Sequence, residues 1–274
     1  MNKKRADILV YEQGLTNSRE QAKRMIMAGK IYVNEVKVYK PGEFFEDNTI
    51  FTLKGEYQRY VSRGGYKLEK ALKSFDISLE NKICGDFGAS TGGFTDCMLQ
   101  NNASKVYAID VGYGQIDWSI RSNNKVVTIE RTNIRYLDNE LIKEKLDFIS
   151  IDVSFISLTL ILPKAFELLD DEGQIVALIK PQFEASREEV GKKGIVKMES
   201  VRKKTIEKIY DFVVENNYVP RGLTYSPITG AEGNQEFLIL ISKNGNNFDK
   251  AKIVDIVNKG KNSLGWSYVN RNIS

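Results

Sequence analysis

Four charged residues stand at strand ends or helix starts in this sequence: Lys67, Asp152, Lys180 and Glu236. Lys67 follows Ser62-Arg63-Gly64-Gly65-Tyr66, and Asp152 closes the apolar run Ile149-Ser150-Ile151. Lys180 ends Leu178-Ile179 just before Pro181, and Glu236 opens a late strand after Gly233-Asn234-Gln235. In an open α/β sheet the C-terminal strand ends gather along one edge beside a ligand crevice, where such residues can meet. A single charge at a strand end is most often a solvated residue entering a loop. Lys180 resists that reading, because Ile175–Ile179 has the composition of a buried strand and runs directly into the lysine. A hydroxyl is a poor nucleophile at neutral pH, and deprotonating it calls for a base of lowered pKa. A lysine partly desolvated beside a second cation, here Lys67, can serve. Asp152 and Glu236 would then fix the ammonium and the hydroxyl in line with the group being transferred.

The group to be transferred is suggested by a second segment. Asp86-Phe87-Gly88-Ala89-Ser90-Thr91-Gly92-Gly93 follows the first strand of the larger region and opens a helix, which is where ligand loops of open α/β sheets lie. Glycines there let the backbone approach a ligand without a Cβ in the way. Asp110 ends the next strand, at the distance expected of a carboxylate gripping ribose hydroxyls. A dinucleotide would need G-x-G-x-x-G facing its pyrophosphate, but Ser90 stands at the second glycine position. Asp86 adds negative charge beside the loop, which would repel pyrophosphate and suit a cationic ligand. S-adenosylmethionine, with its ammonium and sulfonium, fits better than a dinucleotide. The residues expected around it are Asp86, Gly88, Ala89, Ser90, Gly92, Gly93 and Asp110.

Other methyl acceptors fare worse than a ribose hydroxyl. Cytosine C5 chemistry needs a cysteine after a strand, whereas Cys84 falls within a strand and Cys97 within a helix. Exocyclic amine methylation usually shows an Asp/Asn-Pro-Pro-aromatic turn, but the turn here reads Asp152-Val153-Ser154-Phe155. The chain has no histidine, which removes histidine triads, bases and metal ligands together. Two cysteines cannot build a zinc site or a disulfide framework, and they suit a reducing cytoplasm. No metal is expected. No charged-then-apolar leader opens the sequence, and no apolar run approaches the ~18–20 residues of a membrane span, so no membrane partner is expected either.

The elements that position these residues follow from periodicity. Residues 83–87, 106–111, 126–129, 148–153 and 175–180 read as short apolar strands. Helices at 66–75, 93–101, 158–169 and 200–216 alternate with them, and a closing antiparallel pair falls near 220–226 and 236–242. This is an α/β pattern: a Rossmann-like, mostly parallel sheet with helices on both faces. Ahead of it, helices at 5–13 and from Asn17 or Ser18 to Gly29, a hairpin at 31–38 and a strand near 49–53 form a small α+β module. That module has few apolar residues and is expected to rest on its neighbour. Domain limits are set at 1–56, a linker at 57–65, and 66–274. Residues 1–73 carry 15 Lys/Arg against 9 Asp/Glu, while the remainder carries 25 against 27, so the basic excess lies at the N-terminal end. Arg19, Lys23 and Arg24 cluster on the outer face of the second helix, as phosphate-contacting residues do.

With these motifs in place, the chain resembles the TlyA-type ribosomal RNA 2′-O-methyltransferases, often called haemolysins. Arg5-x-Asp7, Gly14-Leu15, Ser18-Arg19, Ala22, Ile26, Gly29 and Val33-Asn34 look like the RNA-binding module shared by a ribosomal protein and tyrosyl-tRNA synthetases. Val61–Leu68, Asp86–Asp96, Asp110–Gln115 and Gly233–Glu236 are similar to FtsJ-like methyltransferase signatures. The resemblance implies a catalytic tetrad at Lys67, Asp152, Lys180 and Glu236, with Lys180 as base. It also implies Asn133 beside S-adenosylmethionine, and RNA contacts at Arg5, Arg19, Lys40 and Arg63. The implied substrate is a cytidine 2′-hydroxyl in ribosomal RNA on one or both ribosomal subunits. Some members carry an Arg-x-Trp-Val linker where this chain has Gln58-Arg59-Tyr60-Val61. Two rival readings are a non-catalytic ribosome-assembly factor and a membrane-active haemolysin.

Overall fold

The computed structural model describes residues 3–16, 18–54 and 59–269, with side chains as far as residue 260. Two compact units divide the chain, Met1–Gln58 and Arg59–Ser274.

In the first unit, β1 (Lys3–Arg5) leads into α1 (Ala6–Glu12), followed by α2 (Arg19–Met27), β2 (Ile31–Val33), β3 (Val36–Lys37), β4 (Phe44–Glu46) and β5 (Thr52–Leu53). The Ser18 side chain accepts from Gln21 N–H and starts α2, a cap worth about 1 kcal/mol. Asn17, the alternative cap, lies outside the described residues. The hairpin β2–β3 turns at Asn34 and Glu35, both at positive φ, and β5 adds to the other side of β2. The pairing of β1 with β4 is not visible as sequence periodicity. Ala6, Leu9, Ala22, Ile26, Ile31 and Phe51 are among the residues of a core that belongs to this unit alone.

The second unit is built from α3 (Gly65–Phe75), β6 (Ile83–Phe87), α4 (Gly93–Gln100), β7 (Lys105–Ile109), α5 (Trp118–Arg121), β8 (Val126–Ile129), β9 (Leu146–Ile151), α6 (Leu162–Leu168), β10 (Leu169–Ile179), α7 (Pro181–Glu184), α8 (Glu199–Glu215), β11 (Val219–Tyr225), β12 (Phe237–Ser242) and α9 (Lys252–Val269). Its seven strands run in the order β11-β12-β10-β9-β6-β7-β8, parallel except for β12, which is antiparallel to both neighbours. This is the expected Rossmann-like sheet. Strand alternation divides the apolar residues between two layers. Val176, Leu178, Leu238 and Leu240 pack on one face, and Ile175, Ala177, Ile179, Phe237, Ile239 and Ile241 on the other.

Three local features depart from the sequence expectation. The helix expected at 158–169 is a 3-10 turn at Leu158–Leu160 followed by α6, where Pro163 fits the first turn because it needs no amide donor there. Helices α5, α7 and α9 are additional. Residues 59–64, expected to be linker, belong to the second unit, with Tyr60 in its core. The Tyr60 ring is buried against Gly65 and meets Tyr66 edge-on at 5.2 Å, while Val61 N–H donates to Asp96 Oδ2 at 2.8 Å. The rest of the proposed linker, residues 57 and 58, lies outside the described residues.

Candidate active site

Sheet order reverses at β6: β7 and β8 extend one way, β9 and β10 the other, and ligands of open α/β sheets bind at such a reversal. The β6–β9 pairing continues one residue past Ile151, since Asp152 N–H donates to Phe87 O at 2.9 Å. Asp152 therefore leaves the sheet directly beside the loop that opens at Gly88. That loop folds back on β7, with Gly88 and Ala89 N–H both donating to Ile109 O at 2.9 and 3.1 Å. Ser90, at φ +49°, donates its N–H to Asp110 Oδ2 at 2.7 Å, and Asp110 Oδ1 accepts from Gly112 N–H at 2.7 Å.

The four charged residues singled out in the sequence meet at this edge. Lys67, in the first turn of α3, donates to Glu236 Oε2 at 2.6 Å and stands 3.9 Å from Asp152 Oδ2. Lys180, the first residue after β10, pairs with Asp152 Oδ1 at 2.6 Å and donates to Ser154 Oγ at 2.8 Å. The order is Lys180, Asp152, Lys67, Glu236, alternating cation and carboxylate. Glu236 is buried, and the two lysine side chains are each only 10% exposed, so solvent screens these contacts weakly.

Two cavities adjoin the cluster. One of about 190 Å³ is lined by Ser62, Phe94, Asp152, Ser154 and Lys180 as well as the Gly88 loop. The second, about 450 Å³, shares Gly88, Ser90, Asp152 and Ser154 with it and extends along Asp110, Gln115 and Asn133. Of the residues expected at a cofactor, Gly88, Ser90, Asp110 and Asn133 line the larger cleft, and Ala89 and Gly93 the smaller cavity. Asn133 Oδ1 also caps the turn Ile134–Tyr136 by accepting from Arg135 N–H at 3.0 Å.

Asp86 and Gly92, also expected at the cofactor, line neither cavity. Asp86 is fully buried and turned inward, accepting from Thr95 Oγ1 at 2.7 Å and Ser150 Oγ at 3.0 Å. Burial pushes its carboxyl up to about 6 against the opposing pull of the two hydroxyls. It ties β6 to α4 and β9 and is not a wall of the cleft. Gly92, at φ +93°, makes the turn into α4, and a Cβ there would press on Ile120. Both cysteines are buried, and burial pushes each thiol up to about 12, consistent with neither being a nucleophile.

Ser62, Ser154, Phe155 and Gln115 are cavity residues that sequence reasoning did not single out. Phe155 takes φ +63° and is largely exposed, a conformation that its residue type does not announce.

In the first unit the structure joins two of the predicted RNA-contacting residues. The buried Asp7 carboxylate accepts from Arg5 Nε at 2.9 Å and from Arg19 Nε at 3.0 Å, leaving both guanidinium groups part-exposed. The turn through Lys40 and Gly42 lies against Arg5, and Lys40 is exposed. Lys23 pairs with Glu20 at 2.5 Å, and Arg24 is half-buried. Arg63 falls in the second unit, exposed, with its guanidinium donating to Thr229 O at 3.1 Å.

Comparison with known proteins agrees with the fold. Residues 60–243 match the FtsJ-like methyltransferase family, and residues 4–49 match the S4 domain. The "Putative rRNA methyltransferase YqxC" of Bacillus subtilis is 47% identical over 96% of this chain and 95% of its own. The "16S/23S rRNA (cytidine-2'-O)-methyltransferase TlyA" of Mycobacterium tuberculosis is 39% identical over 86% of this chain and 88% of its own. A solved structure titled "Putative hemolysin from Streptococcus thermophilus" superposes with a TM-score of 0.75 at 46% identity, covering 98% of this chain and 99% of that one. The chain belongs to the FtsJ-like methyltransferases, in the TlyA-type group that joins this domain to an N-terminal S4 domain. Among the described residues, no helix is long and apolar enough to cross a membrane.

Proposed function

We propose that this enzyme transfers a methyl group from S-adenosylmethionine to the ribose 2′-hydroxyl of a cytidine in ribosomal RNA, in the cytoplasm. The observation that carries the reading is the alternating run Lys180–Asp152–Lys67–Glu236: Asp152 lies in the wall the two cavities share, Lys180 lines the smaller one, and Lys67 and Glu236 stand behind Asp152. Nucleotide and RNA class come from the name of the Mycobacterium tuberculosis relative.

The larger cleft fits the cofactor in three respects. Its volume lies in the range of small-molecule sites. Gly88 and Ser90 of the glycine loop line it, and Asp110 supplies a carboxylate at the end of β7. Gly88, Ser90, Asp110 and Asn133 would hold the cofactor. When bound, S-adenosylmethionine supplies a methyl carbon on sulfonium, which bonds to the ribose oxygen while the S–C electron pair stays with sulfur.

The chain's own residues do the rest. Lys180 Nζ takes the proton from the 2′-oxygen as that oxygen attacks and later gives it to solvent. Asp152 holds Lys180 in place, and the Lys67–Glu236 pair orients the ribose hydroxyl, so the entropy of alignment is met before reaction. Arg5, Arg19 and Lys40, with Lys23, Arg24 and Arg63, contact phosphates and set the register of the RNA without reading bases. The target is then distinguished by RNA shape and its 2′-hydroxyl.

The test is methyl transfer from labelled S-adenosylmethionine to separate, unmodified small and large ribosomal subunits, with the labelled nucleoside identified after digestion. 2′-O-Methylcytidine is expected. No label on either subunit, in protein that binds the cofactor, would overturn the reading in favour of a non-catalytic assembly role.

A further inference from the structure

A lysine amine that accepts a proton has, while neutral, two N–H bonds and one lone pair. On a flexible four-carbon stem that lone pair has no fixed direction. Lys180 Nζ has two acceptors within hydrogen-bonding distance, Asp152 Oδ1 at 2.6 Å and Ser154 Oγ at 2.8 Å. All three residues line the same 190 Å³ cavity. We propose that Ser154 is a positioning residue for methyl transfer: it takes one N–H of Lys180 while Asp152 takes the other, which turns the lone pair toward the cavity. This role rests on Lys180 being the base.

The turn that carries Ser154 is held at both ends by one short segment. At the near end Lys180 donates to Ser154. At the far end Glu184, four residues along the chain, accepts from Ser157 Oγ at 2.6 Å and from Leu158 N–H at 2.7 Å. The Glu184 carboxylate is buried, and Lys208 Nζ backs it at 3.0 Å. Between the two grips lies Phe155 in its left-handed conformation, which a bulky side chain keeps only where its surroundings impose it. The Phe155 ring packs at 4.9 Å on Phe183, a residue of the same gripping segment.

The experiment uses the full chain with Ser154→Ala, Ser154→Thr and Lys180→Ala, measuring kcat, substrate KM, cofactor affinity and melting temperature. Ser154→Ala is expected to lower kcat 10- to 50-fold while KM, cofactor affinity and melting temperature stay close to wild type. Ser154→Thr keeps a hydroxyl and is expected to recover at least half of the lost activity. The role is overturned if Ser154→Ala keeps kcat within two-fold, if the loss falls in KM alone, or if Ser154→Thr is as impaired as Ser154→Ala. Lys180→Ala separates this role from the reading beneath it. Undiminished turnover in that variant removes the base assignment and the role together. A dead Lys180→Ala beside a fully active Ser154→Ala removes the role alone.

Discussion

The carbonyl oxygen of Asp152 occupies the space that a Cβ on Gly88 would need. One backbone position thus serves two purposes: Gly88 opens the glycine loop at φ +91°, and its missing side chain lets the strand bearing Asp152 pass against it. Gly88→Ala is expected to displace Asp152, lower S-adenosylmethionine affinity at least 10-fold and cost about 2 kcal/mol of stability through left-handed strain and collision. Equilibrium binding and thermal melts check this. Wild-type affinity in that variant would show that the loop is not the cofactor cradle.

Lys180, the base of the proposed reaction, lines the smaller cavity and not the larger cleft. Lys180→Met keeps most of the stem but removes the amine. Methyl transfer is expected to fall by a factor of at least about 10³, within the range that general-base catalysis and the lost ion pair together supply. Cofactor dissociation should change less than three-fold. Single-turnover transfer measured beside cofactor binding separates the two quantities.

Asp7 is expected to matter to RNA binding without touching RNA. Its burial pushes the carboxyl up, but hydrogen bonds and charge from Arg5 and Arg19 more than offset this and hold it below the usual carboxylate range. The stability it contributes is therefore present above the unfolded value near 4 and is lost as pH falls through the lower folded value. Asp7→Asn should cost the first unit about 2 kcal/mol at neutral pH and flatten that acid dependence. It should also weaken RNA binding by freeing two guanidinium groups. Hydrogen exchange across residues 3–54 of the intact chain, with RNA titrations at several salt concentrations, reads both effects.

Asp86 has the opposite sign. Its carboxyl is raised from 3.8 to about 6, so the folded state holds the proton more tightly than the unfolded state. Stability is then expected to fall as pH rises from about 4 to about 6 and to level off above that. Asp86→Asn keeps a group that Thr95 and Ser150 can hydrogen-bond and removes the charge. Relative to wild type, the variant should gain on the order of 2–3 kcal/mol between pH 4.5 and pH 7.5. Denaturant melts at the two values test this, and parallel pH dependences would assign the acid sensitivity elsewhere.

The sheet was legible because its signal is local: Ile175–Ile179 and Phe237–Ile241 are apolar throughout, as strands covered on both faces must be. The glycine loop and the Ser18 cap were legible for the same reason, since a few adjacent residues decide them. Helix α9 was equally available. Ile253, Ile256 and Val257 follow helical spacing and pack against the core, although no element is predicted from the sequence after residue 242. In the sequence, glycines at 64 and 65 signal a turn, whereas in the structure Gly65 is small to admit the Tyr60 ring.

By itself, then, the sequence determined the strand and helix pattern, the glycine-rich loop after β6 and the four charges that the fold gathers. Only the tertiary structure decided that Lys180 meets Asp152, that Lys67 meets Glu236 from 169 residues away, and that Asp86 turns inward. It also brought Arg5 and Arg19 onto Asp7 and Ser154 onto Lys180. The reason is physical: periodicity and propensity are set by neighbours along the chain. The partner of a charged side chain is set by which strands lie side by side, in what register, and how a turn such as the one at Phe155 is held.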